Sequence, residues 1–153
     1  MRQTITFVEQ FLLAEQTGLI EKEITTLANE IVYTTVIEEL LKSIPELKPL
    51  YDENTDMWLN DYLPYVVFGC VVVPKMEELY QNEWQSPVLK RIFDFIELLM
   101  LSEHNDVQTL AAVEIAEWIA FEIKPIIRTN ALKLTGQKTL EEISRMVNWK
   151  PES

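Results

Sequence analysis

The sequence is poor in glycine, cysteine and histidine, and each shortage disfavours a class of structure or chemistry. Only three glycines occur, which argues against a sheet with several tight hairpins and against a glycine-rich phosphate loop. The single cysteine, Cys70, cannot form an internal disulfide. It lies in an apolar run and is interpreted as a small hydrophobic residue, which is consistent with the reducing interior of a cell. The single histidine, His104, lies in a predicted turn, so no histidine-based metal site is expected.

Long apolar runs are also lacking. The runs near residues 63–74 and 92–101 are too short to cross a bilayer. The first 16 residues show neither the apolar core nor the cleavage site of a secretory signal. The sequence therefore predicts a cytoplasmic protein that has no membrane partner.

Positive charge is scarce, since 13 Lys and Arg residues stand against 25 Asp and Glu residues and give a net charge of −12. Residues 1–61 carry −8, residues 62–123 carry −7 and residues 124–153 carry +3. A nucleic-acid partner is disfavoured, because neutralising phosphates requires clustered Lys and Arg. The negative charge leaves two interpretations open, which are solubility alone or attraction of a basic partner.

What the sequence does contain is helical periodicity, and it predicts an all-α fold. We expect one domain, residues 1–153, folded as a bundle of about six to seven helices. The expected helices cover residues 5–16, 21–42, 64 to about 81 with a kink at Pro74, 86–102, 106–122, 126–134 and 139–149. A buried strand remains an alternative at 65–73, and Pro45 and Pro49 should allow only a short helical turn.

Three details of the predicted helices concern polar groups. Ser86 should cap the helix over 86–102, and Arg91 should pair with Asp94 on its charged face. Thr139 and Glu142 have the spacing of a capping box for the last helix. In the helix over 106–122 the spacing predicts one polar side and one apolar side. The polar side holds Asp106, Thr109, Glu114 and Glu117; the apolar side includes Trp118, Ile119 and Phe121.

No constellation of catalytic residues is visible. Cys70 has no neighbouring base, no Glu precedes a His by three helical positions, and no carboxylate pair stands out for acid–base work. We therefore expect no enzyme activity, no catalytic residues, no metal ligands and no cofactor. A small metal- or ligand-binding bundle remains an alternative function.

The strongest candidate surface lies where acidic and aromatic residues alternate, between residues 51 and 65. Aromatic rings offer rigid contact area and carboxylates attract a basic partner, so this stretch predicts a protein-binding site. The residues we select here are Asp52, Glu53, Asp56, Trp58, Asp61 and Tyr62. The alternative is that the rings close one end of the bundle while the acids face water. Glu114 and Glu117 form a second candidate patch, whose alternative is an ordinary solvated face.

Residues 63–122 resemble small acidic helical proteins of bacteria that are associated with polymorphic toxin systems. The resemblance is carried by Leu63–Gly69 and by a pattern of helical residues: Ile92, Phe93, Ile96, Glu97, Val107, Gln108, Glu117, Trp118 and Ile119. It implies an immunity protein that binds and neutralises a cognate basic toxin domain, often a nuclease, and it transfers no site residues. The alternative function is a helical adaptor or regulatory scaffold, with a homodimer formed through the apolar 63–73 run.

Overall fold

The computed structural model describes residues 6–17, 21–53, 64–82 and 85–148, and within these ranges the chain is helical without a strand. The prediction of an all-α fold is confirmed, but the described ranges contain nine helices rather than six or seven. The helices are α1 (Phe7–Thr17), α2 (Glu21–Asn29), α3 (Val36–Ser43), α4 (Lys48–Glu53), α5 (64–82), α6 (Pro87–Leu101), α7 (105–122), α8 (Pro125–Leu134) and α9 (Gln137–Asn148).

The helix predicted over 21–42 is in fact two helices, α2 and α3. The break falls in the β-branched stretch that begins at Ile31. There the Thr35 hydroxyl accepts a hydrogen bond from the Val32 N–H at 3.3 Å and donates one to the Val32 carbonyl at 3.2 Å. Local side-chain bonds of this kind compete with helical backbone bonds, and β-branched residues favour the helix weakly.

The proline-containing segment between α3 and α4 is more helical than expected. Pro45–Leu47 form a 3₁₀ turn that leads directly into α4. Pro45 opens that turn and Pro49 lies in the first turn of α4. At these positions a missing N–H removes no intrahelical bond, so both prolines are tolerated.

The apolar stretch after Pro64 is the helix α5, and the strand alternative at 65–73 is wrong. It consists of Pro64–Val67, the π-helical Phe68–Val72 and Val73–Asn82. The Val73 N–H bonds to the carbonyl of Phe68, five residues back, one residue before Pro74. Widening the turn at this point helps the helix to accommodate a proline ring that would otherwise meet a preceding carbonyl.

Helix α6 lies at the centre of the molecule. Residues 92–100 are all buried, and α1, α2, α7 and α9 pack against this helix. The Ser86 hydroxyl accepts a hydrogen bond from the Val88 N–H at 3.2 Å, so the predicted N-cap is confirmed. On the side of α1 and α2, Phe11, Ala28 and Leu98 form a second, smaller apolar cluster.

The connection from α6 to α7 also holds the end of α2. The Glu103 N–H donates to Asn29 Oδ1 at 2.7 Å, and His104 Nε2 lies 2.8 Å from the Asn29 carbonyl oxygen. The last residue of α2 therefore has hydrogen-bond partners far away in the sequence. This contact gives His104 a structural role in the loop.

Helix α7 is the least regular of the long helices. It begins as an α-helix at Asn105–Ala111 and continues through two π-helical segments, Ala112–Ala116 and Trp118–Glu122. The first of these segments packs against the π-helical part of α5, and both pack against α9. π-Helical turns are rare and recur at functional sites, which makes α7 a candidate location for one.

Candidate functional site

The first predicted surface is described only in part. Asp52 and Glu53 end α4, and both side chains are exposed. Asp52 Oδ1 lies 2.8 Å from Lys48 Nζ, so a cation of the same helix already compensates part of its charge. Outside the described residues lie Asp56, Trp58, Asp61 and Tyr62. The joint surface of these six residues therefore stays a prediction.

The second predicted surface is described in full and lies on the π-helical part of α7. Glu117 is exposed and Glu114 is half-buried. A Cβ atom added to Gly69 would lie 3.5 Å from Glu114 Oε2, so this carboxylate rests against the backbone of α5. Glu114 thus sits where the π-helical segments of the two helices meet.

The wide turns of α7 bring Glu122 into the same group. The hydrogen bonds there join residues five apart, as between the Ile123 N–H and the Trp118 carbonyl at 2.9 Å. Glu117 and Glu122 are also five apart, so this hydrogen-bond spacing places them on one side. Burial raises the pKa of Glu114, and the carboxylates of Glu122 and then Glu117 raise it further. The three side chains therefore form one electrostatic group.

Across from this group, α5 contributes Glu77 to the wall of a cleft of about 110 Å³. The cleft is lined by Glu77, Gln81, Trp118, Glu122, Ile123, Lys124 and Ile127. We call Glu77, Glu114, Glu117 and Glu122 the acidic face. Within the described part of the chain, none of these four carboxylates forms an ion pair.

An aromatic residue, Phe121, lies four residues after Glu117 in α7 and is 59% exposed. The prediction that Phe121 faces the core is wrong. Its neighbours Trp118 and Ile119 are buried as expected, but the π-helical spacing changes which later residue points inward. Exposed aromatic rings and charged residues around them are the usual components of a protein-binding surface.

Three residues of this surface were not predicted from the sequence: Glu77, Phe121 and Glu122. In an α-helix, five steps of about 100° would place Glu122 about 140° away from Glu117. Only the π-helical spacing aligns them, and the sequence carries no signal for it apart from the five-residue interval. Glu77 was missed because it comes from another helix.

A separate pair of acidic residues is buried in α6, and one of them holds the fold together. Glu97 Oε1 accepts hydrogen bonds from the Thr139 N–H at 2.9 Å and from the Thr139 hydroxyl at 2.8 Å, and Oε2 accepts one from the Lys138 N–H at 2.7 Å. Glu97 therefore caps the N-terminus of α9, where a carboxylate also complements the helix dipole. The predicted capping box is wrong, because Glu142 pairs instead with Arg145.

The second buried carboxylate, Asp94, pairs with Lys90 through Oδ1. The predicted pair of Arg91 with Asp94 is wrong, because Arg91 binds Glu46 in the 3₁₀ turn, with 2.9 Å between Nη1 and Oε1. Burial raises the pKa of Asp94, while the hydrogen bond from Lys90 opposes this shift. Glu97 is therefore fully hydrogen-bonded within the fold, whereas only Oδ1 of Asp94 is engaged and its buried Oδ2 has no hydrogen-bond partner among the described residues.

The described residues contain no cluster of metal-ligating side chains. No group of three or more His, Cys, Asp or Glu side chains among them could hold a metal ion. Cys70 is a half-buried free thiol, and His104 contacts the backbone of Asn29. In the same ranges no helix combines the length and the apolar character needed to cross a membrane. What the acidic face can do chemically is attract and hold cationic groups.

The comparisons with known proteins give one result. The model of a family described as a domain of unknown function, DUF7674, matches residues 37–149. No curated protein and no solved structure matches the chain. The matched residues include the acidic face, Phe121, Glu97 and α9, and they make up well over half of the sequence. The chain therefore belongs to the DUF7674 family.

Proposed function

We propose that this protein is a non-enzymatic immunity protein that binds a basic bacterial toxin domain on its acidic face and neutralises it. The observation that carries the proposal is the acidic face, whose four carboxylates form no ion pair within the described residues and three of which share α7 with the exposed Phe121. Carboxylates that form no ion pair within the protein keep attraction for an external cation. They accelerate the encounter with a basic partner and fix its orientation.

The toxin as partner is supported by the resemblance of residues 63–122 and by the overall charge of −12. A nuclease domain has a basic active site, because that site must hold phosphate groups. An acidic protein can occlude such a site, and salt would weaken the long-range part of the attraction. Asp52, Glu53, Asp56, Trp58, Asp61 and Tyr62 supply a second contact surface in this proposal.

The first test is to isolate the tagged protein from its native host at low salt and to identify the chain bound to it. We expect a basic domain whose toxic activity falls when the complex forms. A dimer of this chain without a basic partner would favour the adaptor alternative. Such a dimer would have to use the partly exposed residues of the 63–73 run, because Val67, Phe68, Val71 and Val72 are buried within one copy.

The second test compares two double variants of equal charge. Glu117→Lys with Glu122→Lys changes the acidic face, and Glu23→Lys with Glu30→Lys changes exposed residues in and after α2, which packs against α1 and α6. Each double variant shifts the net charge from −12 to −8. A general charge effect would weaken binding equally in both.

We expect the face variant to lose affinity for the basic domain at least about tenfold and to show a weaker salt dependence, whereas the control stays within about threefold. Calorimetric titration at two salt concentrations measures both quantities. Equal affinities of the two variants would contradict the acidic face as the docking surface.

A further inference from the structure

The cleft between α5 and α7 has walls that differ in chemistry, and together they fit one kind of side chain. Glu77 comes from α5 and Glu122 from α7, while Gln81 adds an amide; Trp118 and Ile127 supply apolar surface. We propose that this cleft receives an arginine side chain from the basic partner. This inference rests on the proposed function and names the group that the acidic face recognises.

The size of the cleft selects a single side chain. Its volume of about 110 Å³ is several times what one water needs, which is about 10–15 Å³ on a comparable measure. Pockets for small organic ligands are larger, at about 300–1,000 Å³. The cleft is therefore suited to the end of one long side chain.

The charge of the cleft matches one cation. Glu77 and Glu122 contribute two negative charges and Lys124 contributes one positive charge, which leaves one negative charge to be compensated. Lys124 forms no ion pair with either carboxylate in the described part of the chain. One guanidinium group would neutralise the cleft, and a second cation would be repelled by Lys124.

The shape of the cationic group favours arginine over lysine. A guanidinium is planar and donates from two edges, so it can bind carboxylates that approach from two helices. The aliphatic stem of an arginine can pack on Ile127 and on the small exposed part of Trp118, which both line the cleft. A lysine ammonium is a compact and strongly hydrated charge, which uses only part of these contacts.

The test uses two probes, the capped tripeptides acetyl-Gly-Arg-Gly-amide and acetyl-Gly-Lys-Gly-amide, titrated into the full chain while the indole resonance of Trp118 is followed by NMR. We expect the arginine peptide to shift this resonance and to bind at least about threefold more tightly than the lysine peptide. The Glu77→Gln and Glu122→Gln double variant should lose the shift. The matched Glu23→Gln and Glu30→Gln control should keep it.

Equal affinities for the two peptides, no shift of Trp118, or a shift that survives in the Glu77→Gln and Glu122→Gln variant would overturn the inference. Its failure can be told apart from that of the proposed function. A basic domain captured on the acidic face without any arginine response would contradict the cleft alone. An arginine response in a protein that binds no basic domain would support the cleft and contradict the immunity function.

Discussion

Glu97 and Glu114 are both shielded carboxylates, and each lies against a glycine, but their surroundings are opposite. Glu97 is buried, accepts three hydrogen bonds from the start of α9 and lies under Gly136. Glu114 is half-buried, lies against Gly69 and has Glu117 and Glu122 as its electrostatic neighbours. The first charge is compensated within the fold, while the second increases the local negative potential.

This difference predicts that Glu97 contributes to the stability of the fold and Glu114 to binding. A buried carboxylate is retained only when donors compensate its lost hydration, as the N–H groups of α9 do for Glu97. A half-buried carboxylate that faces other carboxylates lowers the stability of the unbound protein. We therefore expect it to contribute to the binding of another molecule. Variants at the two positions should therefore affect different properties.

The largest effect is expected for Glu97→Ala. Removing this carboxylate leaves the buried N–H and hydroxyl of Thr139 without acceptors, which should lower the free energy of unfolding by roughly 2–4 kcal/mol. Glu114→Ala should change it by no more than about 0.5 kcal/mol. Urea unfolding at neutral pH measures both, and equal losses would remove the distinction between the two sites.

The next effect is expected for the two glycines. A Cβ atom at Gly136 would lie 2.4 Å from Glu97 Cδ and 2.6 Å from its Cγ, so Gly136→Ala must displace the carboxylate and should cost about 1–3 kcal/mol. At exposed Gly69 the nearest atom is at an ordinary contact distance of 3.5 Å. Since alanine favours the helix over glycine, Gly69→Ala should stabilise the protein by up to about 1 kcal/mol.

A double-mutant cycle checks the cause of the Gly136 effect. If the cost comes from displacing Glu97, Gly136→Ala should be nearly neutral in a chain that already carries Glu97→Ala. The same cost in both backgrounds would assign the effect to the backbone of residue 136 instead.

The smallest effect concerns the pH dependence of stability. The pKa of Glu114 is raised in the folded protein by burial and by its acidic neighbours, so the folded state holds this proton more tightly than the unfolded chain. Protonated Glu114 therefore contributes to the free energy of unfolding. This contribution is complete below the ordinary glutamate pKa and is lost as the pH rises through the raised pKa. In Glu114→Gln this part of the fall in the free energy of unfolding with pH should disappear, while the other acidic residues keep their contributions to the pH dependence.

Unfolding curves recorded across that pH range measure the decline, and an unchanged slope in Glu114→Gln would contradict the role given to this residue. Gln at 114 is a conservative test, because it keeps the size of the side chain. Binding of a basic partner should lower the pKa of Glu114 again and release protons, which titrations in buffers of different ionisation enthalpy detect.

Local signals in the sequence predicted α6 and α8 closely. Ser86 followed by proline marked the start of α6, and the helix predicted over 126–134 begins one residue earlier, at Pro125, because capping and missing N–H groups act within one helical turn. The break between α2 and α3 was missed because the hydrophobic periodicity continues through it. Helical spacing alone could not show that the Thr35 hydroxyl would bond to the backbone of Val32.

The contacts that could not be predicted join residues far apart in the chain. Glu97 reaches Lys138 across 41 positions and Arg91 reaches Glu46 across 45. The nearby partners predicted from the sequence were Glu142 for the start of α9 and Asp94 for Arg91. At the candidate site, α-helical spacing was enough to find Glu114 and Glu117. Glu122 required the π-helical turns and Glu77 required the packing of α5 beside α7.

The family match begins at residue 37, after α1 and α2, yet these two helices pack on α6. Phe11 and Ala28 cover Leu98, and Asn29 is bonded to the loop that follows α6. A chain shortened to the matched residues would expose Leu98 and Leu101 to water and would leave the Glu103 N–H without the Asn29 side chain. The stretch matched by the family model is therefore shorter than the set of helices that pack around α6.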